Sequence, residues 1–380
     1  MEFLDLKTQQ KRIRKPLEKR INKILDHGAY IMGPEVFELE EKLAEYCGVK
    51  HAISCSSGTD ALLIPLMAWG IGPGDAVFTT PFTYVATAEV ISILGATPVF
   101  VDVYESTYNI DCEKLEKAIG PNTKAIVPVH LFGQPADMEK IMQIAKEHNL
   151  YVIEDNAQAI GAEYQFKSGI KQKAGTIGDI GTTSFFPSKN LGCFGDGGAL
   201  FTNDDDLAVK IRGIVNHGMY KRYHHDVVGV NSRLDSVQAA VLNAKLPHLN
   251  SYNKSRQDSA RKYSEALKNC NEIMTPILSN GCIEICGSCD CHVFHQYTIR
   301  ILSNRRDDLA KYLSDQEIPF GIYYPIPLHK QKAYESKAYR DDDFVNTNTL
   351  CDQVISLPMH SELSDEQIDF ITDKVIKFLA

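Results

Sequence analysis

Between residues 51 and 202 the chain alternates short apolar segments, rich in β-forming residues, with segments of helical periodicity. The predicted strands are residues 52–54, 76–79, 98–103, 125–129, 151–153 and 182–186. The predicted helices between them are residues 60–69, 86–94, 114–119 and 138–148. Strands that alternate with helices favour crossover connections. The pattern therefore predicts an α/β fold with a mainly parallel central sheet and helices on both faces.

Two regions of different character flank this alternation. Amphipathic helices are predicted before it at residues 7–26 and 35–46, and helices after it at 204–217, 234–248 and 250–268. The C-terminal part then reads as a strand at 296–302, a helix at 305–317, a strand at 322–324 and a helix at 364–379. We expect a large domain at residues 1–249, including an N-terminal helical arm, and a smaller α+β domain at residues 250–380. The absence of repeats and of a low-complexity linker favours rigid packing of the two.

Bulk properties exclude several classes of protein. The formal net charge is −9, so the basic footprint of a nucleic-acid-binding protein is not expected. The charged N-terminus lacks the apolar core of a signal peptide. The longest apolar stretch, residues 61–72, contains Pro65 and is too short to cross a bilayer. Most of the ten cysteines are scattered singly, which fits reduced thiols. We expect a cytoplasmic protein that binds neither nucleic acid nor membrane.

Residues 182–198 combine a strand, a single lysine and four glycines. The predicted strand 182–186 stops at Pro187, because proline gives no N–H to a sheet ladder. Lys189 follows, then Gly192, Gly195, Gly197 and Gly198. Glycine permits close approach or a positive φ, and a partly desolvated amine becomes a usable nucleophile. The segment therefore predicts either an amine held against a flat ligand, with Ser184 facing the same ligand, or a β-hairpin with a surface lysine.

Residues 56–60, Ser-Ser-Gly-Thr-Asp, lie between a predicted strand and a predicted helix. Ligands of an open parallel sheet bind beyond the carboxyl ends of its strands. Free backbone N–H groups and the helix dipole at this place would suit a phosphate. The alternative is a simple N-cap by Ser57, Thr59 or Asp60.

Two other strand ends carry candidate binding groups. Asp155 follows a buried strand and could pair with a protonated ring nitrogen, with Gln158 one turn further on; the alternative is a helix-capping acid. Tyr84, in the run 81–85, could lie flat on a ring or pack in the core. A phosphate cradle, a ring platform, a counter-ion and a Schiff-base amine together are what a pyridoxal 5′-phosphate site needs.

Five motifs then identify a family resemblance. They are GTDAL (58–62), FTYVAT (82–87), EDNAQAIGA (154–162), SFFPSKNLGCFGDGGA (184–199) and NSRLDSVQAA (231–240). The chain resembles, over nearly its whole length, the DegT/DnrJ/EryC1/StrS family of nucleotide-sugar aminotransferases. The resemblance implies the fold-type-I aminotransferase architecture and an obligate homodimer with shared active sites.

The resemblance also implies roles for individual residues. Lys189 would form the Schiff base with the cofactor and shuttle the proton, Asp155 would hold the pyridinium beside Gln158, and Tyr84 would stack on the ring. The implied phosphate ligands are Gly58, Thr59, Ser184 and, from the neighbouring subunit, Asn231. The implied contacts to the anionic sugar nucleotide are Arg233, the run Arg222, Tyr223, His224 and His225, and more weakly Tyr324 and His329. A solvated loop is the alternative for residues 222–225.

Within the family, the stretches YIMGPEV (30–36), KRYHHDVVGVNSRLD (221–235) and YYPIPLHKQ (323–331) resemble enzymes that aminate a UDP-linked 2-acetamido-3-keto-glucuronic acid. This implies L-glutamate as the donor, 2-oxoglutarate as a product, and a role in diamino sugars of bacterial surface polysaccharide such as O-antigen. Alternatives are a dTDP-linked 3-keto- or 4-keto-6-deoxy sugar as substrate, or a non-catalytic regulatory protein that binds the cofactor. Related sugar dehydratases carry a histidine in place of the lysine, so Lys189 argues against that reaction.

One stretch departs from the family pattern. Cys282, Cys286, Cys289 and Cys291 fall within ten residues and precede His292 and His295. Four thiols so close could hold zinc, which sulfur and nitrogen bind tetrahedrally. The cysteine spacing lacks the second half of a zinc-binding motif, and the family needs no metal here. We therefore expect an enlarged loop and no metal.

Overall fold

The computed structural model describes residues 1–279, 290–336 and 338–379. Its helices are α1 (Leu6–His27), α2 (Pro34–Cys47), α3 (Gly58–Ala68), α4 (Ala86–Ile93), α5 (Cys112–Ala118), α6 (Met138–His148), α7 (Asp205–Ile214), α8 (Ser236–Lys245), α9 (Leu249–Leu267), α10 (Arg306–Asp315), α11 (Val345–Gln353) and α12 (Asp365–Leu379). Its strands are β1 (His51–Cys55), β2 (Ala76–Thr79), β3 (Thr97–Phe100), β4 (Thr123–Ile126), β5 (Tyr151–Asp155), β6 (Glu163–Gln165), β7 (Lys171–Lys173), β8 (Ile180–Ser184), β9 (Gly198–Thr202), β10 (Met219–Lys221), β11 (His224–His225), β12 (Ile273–Met274), β13 (Tyr297–Ile301) and β14 (Val354–Leu357).

The central sheet has seven strands in the order β1-β9-β8-β5-β4-β2-β3. The pairs from β8 to β3 are parallel, whereas β9 runs antiparallel to both β1 and β8. Six strands therefore share one direction and β9 alone is reversed. The predicted mainly parallel sheet is confirmed. The carboxyl ends of the six parallel strands lie along a common edge, where β9 begins.

Helices cover both faces of this sheet because successive strand residues point to opposite sides. Alternate buried strand residues such as Ile53 and Leu200 pack with α3, α4 and α7. Their neighbours Ala52 and Phe201 pack with α1, α2 and α8 on the other face. Towards β3, that second face is covered by α5 and α6. The prediction of helices on both faces is confirmed.

The C-terminal part builds a second, smaller core. The antiparallel sheet β12-β13-β14 packs with α9, α10 and α12. The predicted strand at 322–324 is wrong: this segment is irregular, and only Gly321 forms a bridge, to Ser356. Pro325 and Pro327 follow directly and cannot donate to a ladder. The division into a large domain at residues 1–249 and a smaller one at residues 250–380 stays a prediction.

Several short elements were not anticipated from periodicity. They are the hairpins β6–β7 and β10–β11, the strands β12 and β14, and the helix α11. The predicted strand at 98–103 ends at Phe100, and the predicted strand at 182–186 ends at Ser184. Among the described residues, no helix combines the length and the apolar character that crossing a bilayer requires.

Candidate active site

A cavity of about 440 Å³ opens at the carboxyl edge of the central sheet. Residues that follow or end parallel strands line it, among them Gly58 after β1, Tyr84 after β2, Asp155 at the end of β5 and Ser184 at the end of β8. The segments around His295 and Tyr324 complete the wall. The predicted residues that line this one cavity are Gly58, Thr59, Tyr84, Asp155, Gln158, Ser184, Lys189 and Tyr324.

The N-terminus of α3 forms one end of the cavity. Ser57 caps the helix, since its hydroxyl accepts the N–H of Asp60 at 3.0 Å. The N-cap alternative is therefore correct for Ser57, and it coexists with a cavity position. The N–H groups of Gly58 and Thr59 lie in the first turn, where a helix offers them no carbonyl partner. This end of the cavity can therefore receive an anion.

Close packing requires the glycine at position 58. A Cβ on Gly58 would lie 2.6 Å from Cβ and 3.1 Å from Cα of Ser184. On the next strand, a Cβ on Gly198 would lie 2.4 Å from the carbonyl oxygen of Ser57. The glycines of the 192–198 segment thus serve close approach rather than a positive φ. The backbone of α3 and the end of β8 consequently form one tight unit.

The carboxylate of Asp155 is held in a fixed direction. It is 5 % exposed; its Oδ2 accepts the hydroxyl of Thr87 at 2.7 Å, and its Oδ1 accepts the N–H of Ala157 at 3.2 Å. The backbone of Asp155 is tied on both sides, to Pro128 and to His130. A buried acid with these two neutral donors keeps capacity for one positively charged partner.

Glu154, one residue earlier, points to the other face of the sheet. It is fully buried and accepts hydrogen bonds from His130 at 2.8 Å and from the N–H groups of Gly175, Ile177 and Gly178 at 2.6–2.8 Å. All of its acceptor capacity is used inside the protein. Glu154 therefore anchors the loop before β8 and does not serve the cavity.

Lys189 lies in the connection between β8 and β9, which pair as antiparallel neighbours. The hairpin alternative was thus also right about the strands, but the lysine is partly buried in the cavity wall instead of lying on the surface. Burial lowers the pKa of Lys189 to about 8, and Asp155 opposes this effect. No described side chain forms a hydrogen bond or ion pair with its amine. The cavity therefore contains a free amine that is partly neutral near neutral pH.

Aromatic and amide groups complete the wall. The Gln158 side chain accepts the N–H of Phe132 at 2.7 Å, and Gln158 and Tyr324 both line the cavity. Burial raises the pKa of Tyr324. Tyr84 is 61 % exposed at the cavity mouth, so its ring is available to a ligand rather than packed in the core.

Asn231 and Arg233 line a neighbouring cavity of about 400 Å³ that shares Asp196 with the first. The guanidinium of Arg233 donates to Asn231 at 2.6 Å and to Asn216 at 3.1 Å. Its Nε is buried, and no described residue forms a hydrogen bond with it. The pair is therefore rigid and next to the lysine cavity, but not part of its lining.

The remaining predicted substrate residues lie outside the cavity of this chain. Arg222, Tyr223, His224 and His225 belong to the exposed β10–β11 hairpin, where the Arg222 guanidinium lies 5.1 Å from the Tyr223 ring centre. His329 is buried with its ring 4.1 Å from that of Phe344. Within this single chain, neither group reaches the lysine cavity.

Several cavity residues were not predicted from the sequence, and four of them have polar side chains that bear on the site. Thr87, Asp196, His295 and Gln296 all line it. Thr87 and Asp196 lie inside the FTYVAT and SFFPSKNLGCFGDGGA motifs, so the motifs themselves were the available signal. His295 and Gln296 come from a part of the chain about one hundred residues away from Lys189, and no local pattern links them.

Most of the cysteine-rich stretch lies outside the described residues, since Cys282, Cys286 and Cys289 fall within 280–289. Cys291 is described and buried. Across residues 1–279, 290–336 and 338–379, no group of three or more His, Cys, Asp or Glu side chains is arranged to hold a metal ion.

Comparison with known proteins places this cavity in context. Residues 11–376 match the DegT/DnrJ/EryC1/StrS aminotransferase family. The chain is 47% identical to the UDP-2-acetamido-2-deoxy-3-oxo-D-glucuronate aminotransferase of Pseudomonas aeruginosa, with 98% of each chain covered. It is 44% identical to a "pleiotropic regulatory protein" of Geobacillus stearothermophilus, covering 99% of this chain and 98% of the relative. It is 46% identical to the UDP-N-acetyl-3-dehydro-alpha-D-glucosamine 3-aminotransferase of Acidithiobacillus ferrooxidans, covering 96% and 94%.

Solved structures show the same architecture. A DegT DnrJ EryC1 StrS aminotransferase from Brucella abortus superposes with a TM-score of 0.93 at 42% identity, covering all of both chains. DesV of S. venezuelae in complex with a ketimine intermediate gives 0.92 at 38% identity, covering 100% of this chain and 98% of that one. NtdA of Bacillus subtilis with bound cofactor PMP gives 0.86 at 31% identity, covering 97% and 82%.

Proposed function

The chain belongs to the DegT/DnrJ/EryC1/StrS aminotransferase family, and from that premise we propose that it moves an amino group from L-glutamate to C3 of UDP-2-acetamido-2-deoxy-3-keto-D-glucuronic acid. The protein is a pyridoxal-phosphate-dependent aminotransferase of nucleotide-linked sugars. The finer proposal rests mainly on one observation, the 47% identity over nearly the full length to the Pseudomonas aeruginosa enzyme named for this substrate.

The cavity residues fit pyridoxal 5′-phosphate. When bound, this group supplies an aldehyde that takes up an amino group and a ring that withdraws electrons from the carbon next to it. We assign the phosphate to the N–H groups of Gly58 and Thr59 and to Ser184, because a helix N-terminus favours an anion and the tight approach of α3 to β8 fixes the spacing. We assign the ring nitrogen to Asp155, whose fixed carboxylate retains capacity for a cation.

Lys189 supplies the reactive amine. With its pKa lowered to about 8 by burial, about a tenth of it is neutral at pH 7, compared with roughly one part in 2,500 for an ordinary lysine. A neutral amine can attack an aldehyde, and a free amine next to the reacting carbon can take up and return its proton. In this proposal Lys189 moves that proton at C3 of the sugar.

Groups around Lys189 orient the reactants and exclude water. The exposed ring of Tyr84 is available to cover the cofactor ring from the cavity mouth. Gln158 is tied to the Phe132 backbone by a hydrogen bond, and with Phe132 and Tyr324 it forms part of the cavity wall. The aromatic rings of Phe132 and Tyr324 make this wall apolar, which strengthens the polar contacts inside.

We propose a homodimer in which each active site is completed by the other subunit. Several large apolar side chains are exposed: Phe186, which lines the cavity, is 52 % exposed, and Tyr223 and Val228, on and after the β10–β11 hairpin, are 78 % and 84 % exposed. In our proposal these side chains are covered at the interface between the two subunits. An interface across a two-fold axis would bring two parts of the partner subunit towards the cavity: its β10–β11 hairpin, with residues 222–225, and its Asn231–Arg233 pair.

This arrangement would supply the positive charge that the substrate needs. The lysine cavity of one chain presents Asp155 and Asp196 but no arginine, among the residues that line it. A sugar nucleotide with a uronate carries several negative charges. In our proposal Arg233 and Arg222 of the second subunit bind them, Tyr324 touches the sugar and His329 supports this wall from behind. We further propose that the reaction takes place in the cytoplasm and supplies diamino sugars for surface polysaccharide such as O-antigen.

A single-turnover panel tests the substrate. The enzyme is first converted by glutamate to its amine-loaded form, then mixed with UDP- and dTDP-linked 3-keto and 4-keto sugars, with and without a C6 carboxylate. Return of the aldehyde absorbance scores each sugar. We expect the UDP-3-keto-uronate to react fastest. Faster reaction of a dTDP-6-deoxy sugar would replace the proposed substrate while leaving the aminotransferase assignment intact.

A regulatory role is the second candidate, because a relative at 44% identity is named a pleiotropic regulatory protein. DNA binding at physiological salt without transamination would favour it. Lys189→Ala separates the two, since an enzyme loses both turnover and covalent cofactor with this change, whereas DNA binding by a regulator does not need the amine. We expect loss of turnover and no DNA binding by either form.

A further inference from the structure

His295 is a buried side chain of the cavity wall that the family motifs do not include. His295 is 6 % exposed. It lines the same cavity as Lys189, although it comes from the segment just before β13. It is held against Asn190, the residue that follows Lys189, by a 3.3 Å contact between its Nδ1 and the Asn190 Oδ1.

A chain of amides fixes which nitrogen of His295 carries the proton. The Asn253 Nδ2 donates to the Ile160 carbonyl at 3.1 Å, so its Oδ1 is the acceptor for the Asn190 Nδ2 at 2.8 Å. The same Asn190 Nδ2 also donates to the Val293 carbonyl at 3.1 Å. Asn190 therefore presents its oxygen to His295, and the ring must donate from Nδ1. Its Nε2 consequently has a free lone pair.

Hydrogen bonds from a buried arginine hold the backbone around His295. The Arg256 side chain is buried, and one of its nitrogens donates to the carbonyls of Phe294, His295 and Met359 at 3.0–3.3 Å. Phe294 has a φ of 45°, which is rare for a bulky side chain. Strain of this kind persists where the surrounding structure enforces it, and it clusters at functional sites.

The electrostatic surroundings keep the His295 ring neutral. Burial, with Lys189 and Arg256 as nearby cations, lowers the pKa of His295 well below its usual value. The contribution of Lys189 to this lowered pKa indicates that its amine lies close enough to the His295 ring to interact with it electrostatically. Lys189 makes no hydrogen bond with any described residue, so its amine can turn towards an acceptor. The other titratable groups that line the cavity are Tyr84, Asp155, Asp196, Tyr323 and Tyr324.

We propose that the Nε2 of His295 accepts a hydrogen bond from the free amine of Lys189 and so directs the amine's lone pair into the cavity. His295 is then a positioning residue that acts through Lys189. No proton leaves the lysine for the histidine in this step; the N–H of the amine is shared, and the amine keeps its own capacity to take up a proton from substrate. The inference rests on Lys189 being the reactive amine of the proposed function.

Two substitutions separate this role from packing. In His295→Asn the amide can replace Nδ1 and still donate to Asn190, but nothing occupies the Nε2 position. In His295→Gln the longer amide places its oxygen near the Nε2 position. His292→Asn is the matched control, because His292 is equally buried and stacks on Phe294 at 3.8 Å without lining the cavity.

The readout is the pH dependence of acetylation of Lys189 in the full-length, cofactor-free protein, followed by peptide mass spectrometry. The wild-type midpoint is expected near pH 8. A lost acceptor destabilises the ammonium, so the His295→Asn midpoint should fall by about one pH unit, while His295→Gln and His292→Asn stay near the wild type. In the loaded enzyme, His295→Asn should slow the glutamate half-reaction about tenfold.

An unchanged midpoint in His295→Asn, or an equal fall in His295→Gln, overturns the proposal. If His295→Asn does not fold, ¹⁵N-histidine spectra of the wild type and of Lys189→Met give the reciprocal test. The Nε2 resonance should change when the lysine is removed, and no change overturns the proposal. The acetylation and NMR measurements use neither a sugar nor the cofactor, so a failed substrate panel and a failed role for His295 are distinguishable.

Discussion

Gly58→Ala should weaken cofactor binding by a steric effect that the structure allows us to size. The new Cβ would lie 2.6 Å from the Ser184 Cβ and 3.0 Å from its hydroxyl oxygen. Carbon atoms in favourable contact are separated by about 3.5–4.0 Å, so α3 and the end of β8 must move apart by about 1 Å. The Ser184 Cα, at 3.1 Å, is backbone and cannot turn away.

Both stability and affinity should respond. Forcing an extra carbon into a tight contact lowers the free energy of unfolding by about 1–3 kcal/mol. The same displacement separates the first-turn N–H groups from the Ser184 hydroxyl, which together form the proposed phosphate site. Loss of one charge-assisted hydrogen bond is about 1.5–3 kcal/mol, so the dissociation constant for pyridoxal 5′-phosphate should rise roughly 10- to 100-fold.

The assay is a titration of cofactor-free protein with pyridoxal 5′-phosphate, with thermal unfolding measured in parallel. Gly120→Ala is the matched control, because a Cβ added at Gly120 would meet nothing within 4 Å and its φ is not positive. We expect wild-type behaviour from it. Gly58→Ala/Ser184→Gly should recover part of the stability but not the affinity, because the clash is reduced while the hydroxyl is lost. Wild-type affinity and melting temperature in Gly58→Ala would refute the idea of a rigid cradle.

Three further results are expected. Because the pKa of Lys189 is lowered to about 8, covalent uptake of the cofactor should fall about tenfold per pH unit below pH 8 and level off above it; a flat profile from pH 6 to 9 contradicts a lysine that must lose its proton. Lys189→Ala and Asn231→Asp should each be inactive. When the two variant proteins are mixed and allowed to re-associate, about a quarter of the wild-type activity should return, since half of the dimers contain one subunit of each kind and each of these has one intact site. A mixture without activity argues against sites shared between subunits. Asp155→Asn should reduce turnover and leave the melting temperature of the cofactor-free protein unchanged. Glu154→Gln should lower that melting temperature, because the glutamine amide cannot accept every hydrogen bond that the carboxylate now receives. Equal melting temperatures of the two variants would contradict the division of roles between the two acids.

Periodicity predicted most of the fold because burial on both faces leaves a clear record in the sequence. The helices α1 to α4 and α6 begin and end within two residues of their predicted limits. Hydrophobic periodicity does not indicate the direction of a strand. The sequence pattern of β9 resembles that of the other strands, and its reversed direction follows from its pairing with β1 and β8. The segment 322–324 was misjudged because tyrosines favour strands, while the prolines that follow remove the donors a strand needs.

The candidate site was predicted where the contacts are local and missed where they are distant. Gly58, Asp155 and Lys189 each follow a strand end, so their meeting at one edge of a parallel sheet could be expected. His295 reaches the same cavity only because Asn190 and Arg256 hold its segment there. Several alternatives also proved compatible: Ser57 both caps α3 and lines the cavity, and Lys189 lies in a β-hairpin connection as well as in the cavity wall.

The adjacent acids Glu154 and Asp155 show why residue type alone does not identify the functional group. Both are carboxylates at the end of one buried strand, and successive side chains of a strand point to opposite faces. On one face, Glu154 meets His130 and three backbone N–H groups, which use its acceptor capacity. On the other, Asp155 meets one hydroxyl and one N–H at the cavity wall, which leaves capacity for a cation. The number of donors already supplied by the protein distinguishes an anchoring acid from one available to a cofactor, and that number depends on the fold.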